Sequence, residues 1–160
     1  MIVELKNPSA VFDTRLAAHL REGFFSVART DYGDFGALLM SLAEEVRSGA
    51  AGLLFDVEGA SLLGFTLLDA TRSPWRQSGW VMHFYAKAPA ARRRLVQGAV
   101  DWFRSRGVYR VRAINGSGAS DAGFVRMFAT AGGWRGSVVG SVVEMEDAHG
   151  GRRQQQVQNA

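Results

Sequence analysis

The sequence predicts a mixed α/β domain, with an antiparallel meander first, a parallel crossover after it, and helices on the faces of one sheet. Three observations carry this. Two apolar runs, "GLLFDVEG" and "SLLGFTLLD", meet at Glu58-Gly59-Ala60, a hairpin signal, and "SGWVMHFYAKA" continues the meander. A proline-led amphipathic segment from Pro89 then separates that third run from the alternating "VYRVRAIN". A connection that long, containing a helix, joins parallel strands. Finally, a chain of 160 residues that is 47% hydrophobic is long enough to bury one sizeable core.

In chain order, "MIVELK" reads as a short strand, and Asn7-Pro8 as an N-cap with proline in the first helical position. Phe12, Leu16 and Leu20 recur at spacing four, which predicts a helix over 8–21. A second helix is predicted from Phe35, Leu38, Leu39, Leu42 and Val46 on one face, with Gly49 as its stop. The turn-rich "ATRSPWRQ" separates the second and third strands of the meander, so Asp69 falls at a turn. In the helix after Pro89, Leu95, Val96, Ala99, Val100 and Phe103 face inward, and Gly107 ends it. "VYRVRAIN" sets Val108, Val111 and Ala113 against Tyr109, Arg110 and Arg112.

After the loop "GSGAS", "DAGFVRMFATAGG" is a helix closed by glycines, and "WRGSVVGSVVEMED" is one long strand or two short ones. The order is therefore β-α-α-β-β-β-α-β-α-β in a single domain over 1–147. Residues 148–160, "AHGGRRQQQVQNA", form a polar tail that is flexible or ordered by a partner.

Composition narrows the chemistry. There is no cysteine, which removes disulfides, thiolate metal sites and cysteine nucleophiles; three scattered histidines argue against a transition-metal centre. The N-terminal stretch has no basic segment leading into an apolar one, and no apolar run nears the roughly 18 residues of a membrane span. A cytoplasmic protein with no membrane partner is expected.

Charge is unevenly placed. Residues 1–70 hold 5 basic and 10 acidic side chains, a net −5, whereas residues 71–160 hold 14 and 5, a net +9. An anionic partner for the second half is the expectation. Arg92, Arg93 and Arg94 are the most unusual case, three cations on the first turns of a helix whose amino end is already partly positive. A bound anion would offset them, and so would solvent. With Arg104, Arg106, Arg110 and Arg112, and with Trp102 and Tyr109 nearby, they also raise a nucleic-acid reading.

The element order and the segment from about 78 to 135 resemble the GCN5-related N-acetyltransferase (GNAT) fold. In that family a segment P-x-x-[R/Q]-x-x-G-x-[G/A] follows the fourth strand and holds the coenzyme A pyrophosphate at a helix start. Pro89 and Arg92 stand at the matching places, and Leu95 and Gln97 at the two small positions. The resemblance thus implies an acetyl-CoA pyrophosphate site at Arg92, Arg93, Arg94, Leu95 and Gln97, in an eroded form. Gly98 offers a small residue one place away. A second family pattern, N-x-x-A-x-x-x-Y-x-x-x-G-F, is matched by Asp121, by Phe128 in place of the tyrosine, and by Gly133-Trp134 with one residue inserted. That tyrosine commonly reprotonates the departing thiolate, which phenylalanine cannot do. For a base, the fourth strand offers His83 and Tyr85 on one face, with Asp69 a weaker candidate.

Erosion at both sites predicts a GNAT scaffold kept for a non-catalytic structural or binding task. The layout is similar to the small GNAT-like internal virion proteins of T7-like short-tailed phages, which would place it in a virion among protein partners. Self-association through the last strand is also expected. The alternative is an active acetyl-CoA-dependent N-acyltransferase with an arginine-based pyrophosphate site. Without that activity no cofactor is expected.

Overall fold

The computed structural model describes residues 1–26, 33–73, 76–114, 121–139 and 142–147. Its strands are β1 (Ile2–Glu4), β2 (Ala51–Glu58), β3 (Ser61–Ser73), β4 (Arg76–Ala86), β5 (Arg110–Ile114), β6 (Trp134–Val139) and β7 (Val142–Asp147). Its helices are α1 (Thr14–Phe25), α2 (Phe35–Ser48), α3 (Pro89–Ser105) and α4 (Asp121–Gly132). The strands form one sheet in the order β1-β2-β3-β4-β5-β7-β6. All neighbours are antiparallel except β4 and β5, the parallel pair that the α3 crossover demands. The element order, the meander and the crossover follow the expectation.

Two apolar layers hold the sheet. On one face α1 and α2 cover Leu53, Phe55, Phe65 and Leu67. On the other, α3 and α4 cover Leu54, Leu68, Val81, Val111 and Ala113. Each strand feeds alternate residues to alternate layers because successive side chains point to opposite faces. Burial of this apolar area, at roughly 25 cal/mol per Å², is the main force holding the helices down.

Two local expectations are corrected and one open alternative is decided. Residues 8–21 do not form one helix. A 3-10 turn at Pro8–Phe12 precedes α1, and the Asp13 carboxylate between them accepts from the N–H groups of Arg15 and Leu16 at 3.1 and 3.0 Å. The restart rotates the chain, so Val11 is buried and Phe12 is 52% exposed. Second, "ATRSPWRQ" is not a turn for most of its length, since β3 runs to Ser73 and β4 starts at Arg76. Asp69 is therefore a mid-strand residue, paired with Trp80. Of the two alternatives for "WRGSVVGSVVEMED", two short strands is the one formed, β6 and β7, paired antiparallel. The "GSGAS" loop and the tail lie outside the described residues.

Candidate functional site

β4 changes character at Met82. Leu67 pairs with His83 and Leu68 with Val81, so Met82 is the extra residue of a β-bulge. Up to Val81, β4 is paired on both sides, with β5 matching Ser78–Val81 to Arg110–Ala113. Among the described residues the pairing with β5 runs through Val81, while β4 continues to Ala86.

α3 begins at Pro89, shortly after β4 ends at Ala86. Its N-cap is Ala88, which gives no side-chain hydrogen bond, and Pro89 stands at the first position. The N–H of Arg92 already bonds to the Ala88 carbonyl at 3.0 Å. The N–H groups ahead of it are those a helix leaves without internal partners, at the positive end of the helix dipole.

The five residues expected at the pyrophosphate site are adjacent in sequence but diverge in space. Arg92 and Arg93 are exposed on the first turn. Arg94 turns towards β2, where its guanidinium donates to both oxygens of Asp56, from Nε at 3.0 Å to each and from Nη2 to Oδ2 at 2.8 Å. Asp56 has no exposed surface, and burial by itself would raise its carboxyl. The hydrogen bonds from Arg94 and the N-terminal amine outweigh that and hold it below the usual carboxylate range. Leu95 is fully buried, with its Cδ1 against Gly64, and Gln97 is exposed and donates to Asp101 at 3.0 Å. Gly98 serves packing, since a Cβ there would meet the Ile2 side chain at 2.9 Å. Residues 93–97 lie inside a helix that has already begun, where each N–H is taken by the carbonyl four residues back. An acyl-CoA diphosphate therefore fits the first turn and the Arg92 and Arg93 guanidiniums, and does not fit a glycine cradle at Leu95 and Gln97.

His83 and Tyr85 do share a face, under α1, but both are engaged. The His83 ring is 7% exposed, stacks on Phe65 at 5.3 Å and lies 4.4 Å from Phe24. Its Nε2 is 3.2 Å from the Gly23 carbonyl, so it donates there. Burial pushes its pKa down to about 4, against a smaller upward effect of the Gly23 bond. Tyr85 donates to Glu22 Oε1 at 2.8 Å, and Lys87 lies 2.7 Å from Glu22 Oε2. Burial, and then the Glu22 carboxylate, push the phenol up to about 12. Phe128, in place of the family tyrosine, has no exposed surface and packs against Phe124 and Trp134.

A cavity opens elsewhere on the sheet. It measures about 300 Å³ and, among the described residues, is lined by Asp69, Trp80, Val81 and Met82, beside the bulge. Asp69 and Trp80 are a cross-strand pair, and Met82 is 56% exposed. The carboxyl of Glu45, on α2, is raised, first by burial and then by the Asp69 charge. Sequence reading gave Asp69 a minor place and missed Trp80 and Met82. The alternation Phe65, Leu67, Asp69 was the available signal, because it continues the strand through Asp69 on the α1–α2 face.

Arg104 and Arg106 are drawn inward. Arg106 lies 3.8 Å over the Trp102 ring and 3.2 Å from Glu4, to which Trp102 Nε1 donates at 2.9 Å. Trp102 is 5% exposed and so offers no stacking platform. Arg104 donates to the Gly132 carbonyl, and Arg110 and Arg112 face Glu146 and Glu144 across β7 in register. Among the described residues no cluster of three or more potential metal ligands occurs, and no helix is long and apolar enough to cross a membrane.

No family model and no curated protein matches the sequence. Solved structures do match the fold. The ribosomal-protein-alanine N-acetyltransferase from Brucella melitensis superposes with a TM-score of 0.63 at 16% identity, over 91% of this chain and 97% of that one. The PaiA N-acetyltransferase from Thermoplasma acidophilum, in complex with coenzyme A, gives 0.57 at 17% identity, over 92% and 98%. An aminoglycoside acetyltransferase from an uncultured soil metagenomic sample, in complex with sisomicin, gives 0.61 at 12% identity, over 88% and 92%. With the sheet order and the parallel crossover from β4 through α3 to β5, these likenesses establish that the chain has the GCN5-related N-acetyltransferase fold.

Proposed function

We propose that this chain is an acyl-coenzyme A-dependent N-acyltransferase that holds its diphosphate by charge at the first turn of α3. The observation that carries the reading is the cavity at the Met82 bulge, which has Asp69 among its lining residues. Likeness of fold raises the expectation but does not supply the activity. When bound, an acyl-CoA supplies a thioester, an activated carbonyl open to attack by an amine. The chain's residues do the rest. Arg92 and Arg93 attract the diphosphate beside the uncapped N–H groups of α3. The Asp69 carboxylate is the group in the cavity wall able to take a proton from the attacking amine. Neither Phe128 nor Tyr85, whose phenol is at about 12, is suited to return a proton to the thiolate, so that proton is left to solvent.

A second reading has its own observations. Phe128 and His83 are packed as core residues and Leu95 closes the glycine cradle, which supports a non-catalytic binding or structural component, such as one held in a virion.

Calorimetry with acetyl-CoA, followed by a thiol-release assay over a panel of primary amines, separates the two. Micromolar binding that weakens roughly tenfold in the Arg92→Ala/Arg93→Ala variant, together with turnover, is the expected result. No heat at millimolar cofactor retires the acyltransferase and leaves the scaffold, whose partners co-purification would reveal.

A further inference from the structure

We infer that the groove between the first turn of α1 and the tip of the β2–β3 hairpin binds a free α-amino acid with an apolar side chain. Asp13, Arg15 and Leu16 line the groove from α1 and its cap, and Val57, Ala60 and Leu62 line it from the hairpin. It shares no lining residue with the cavity at Met82, and the inference does not rest on the acyltransferase reading.

The floor is apolar because of a second bulge. Asp56 pairs with Gly64 but Val57 pairs with Leu62, so Leu63 is the extra residue of β3. Strict alternation from Phe65 would set Leu63 on the α1 face. The bulge instead brings Leu62 opposite Val57. Leu16, Val57 and Leu62 are all partly buried against the core layer under α1 and α2, with the rest of their surface turned to the groove. The hairpin tip has no bulk to cover that floor. Gly59 turns it at a φ of +57°, a Cβ there would meet nothing within 4 Å, and Ala60 adds only a methyl.

The rim carries one charge of each sign. Both helix-capping bonds of Asp13, from the N–H groups of Arg15 and Leu16, fall on Oδ1 at 3.1 and 3.0 Å. Oδ2 is not used by the cap. Among the described residues, the Arg15 guanidinium pairs neither with Asp13 nor with any third group. The carboxylates of Asp56 and Glu58 belong to the other face of β2, where Arg94 lies 2.8 and 3.9 Å from them.

A ligand with one charge would gain from one of these groups and be repelled by the other. An α-amino acid carries both charges on a single carbon. Its carboxylate meets the Arg15 fork, which matches a carboxylate with two parallel bonds, and its ammonium meets Asp13 Oδ2. Its side chain then lies on Leu16, Val57 and Leu62, where a polar side chain would find no partner. At about 300 Å³ the groove is at the small end of ligand sites, which suits one small molecule and not a folded partner.

The test is calorimetric titration of the full chain with L-leucine, 4-methylpentanoate and 3-methylbutylamine. These share a branched body and carry both charges, the carboxylate alone or the ammonium alone. Leucine is expected to bind at least roughly tenfold more tightly than either analogue. Arg15→Gln should reduce leucine to the level of the amine. Asp13→Asn should reduce it to the level of the carboxylate, and asparagine still caps the helix, so α1 keeps its start. Ala60→Trp, on the exposed tip, should weaken all three by covering the floor. Circular dichroism melts confirm that each variant folds. The inference is overturned by leucine binding no tighter than its analogues, or by no heat at millimolar leucine. A preference for leucine that survives Arg15→Gln or Ala60→Trp overturns it equally, because the site would then lie elsewhere.

Discussion

The two halves of β4 use the same kinds of side chain for opposite ends. Beyond the bulge, His83 and Tyr85 carry the titratable groups that suggest chemistry, yet both are packed beneath α1 with their polar atoms bonded to Gly23 and Glu22. Before and at the bulge, Trp80 and Met82 look like ordinary strand residues, yet they wall a cavity with Asp69. The difference lies in what covers each half. Gly23 lets α1 approach so closely that a Cβ there would sit 2.2 Å from Phe65. That contact seals the half with the reactive-looking residues. A histidine is worth most to catalysis where substrate can reach it, and here the packing decides that.

The comparison can be broken most severely at Gly64, which pairs with Ala86 at the end of β4. An added methyl would meet the Tyr85 carbonyl at 2.4 Å and Leu95 Cδ1 at 2.9 Å. Backbone cannot give way cheaply, so Gly64→Ala is expected to lose about 3 kcal/mol in urea unfolding. A loss under about 1 kcal/mol would mean that the half beyond the bulge is looser than its packing indicates.

A pH series probes the same half more gently. His83 titrates near its ordinary 6.5 when unfolded but at about 4 when folded, so the unfolded chain binds more protons between those values. Stability therefore falls as pH drops through that window, by about 2 kcal/mol from pH 7 to pH 5 for this group. His19, also lowered by burial, acts in the same direction. His83→Leu should flatten the profile, and in the acyltransferase reading should leave turnover within about twofold. A turnover lost in His83→Leu, with the fold intact, would return the imidazole to the reaction.

The smallest effect compares neighbours on α3. Arg94→Ala is expected to lower the denaturant midpoint, because it strips a buried Asp56 of its paired hydrogen bonds. Arg93→Ala, on an exposed first turn, should leave the midpoint in place and act on ligand affinity alone. Equal midpoints for the two variants would show that Asp56 finds enough support in its other partner, the N-terminal amine.

The sequence by itself determined the architecture. Periodicity, hairpin glycines and Pro89 carry enough local information to order the strands and to demand a parallel crossover, since each is a property of neighbouring residues. The places where it misled were of two kinds. At Asp13 a capping carboxylate overrode a four-residue spacing, and across "ATRSPWRQ" pairing between strands overrode turn-forming residues. The candidate site was legible only in outline, because the family pattern located α3's first turn but treated Arg92, Arg93 and Arg94 as one group. A helix turns each residue by about 100°, so consecutive arginines face different surroundings, and only the position of β2 sent Arg94 to Asp56. The cavity at Met82 was beyond sequence reading altogether. It lies where one extra residue in β4 meets the register of β3, a relation between two strands that neither stretch encodes alone.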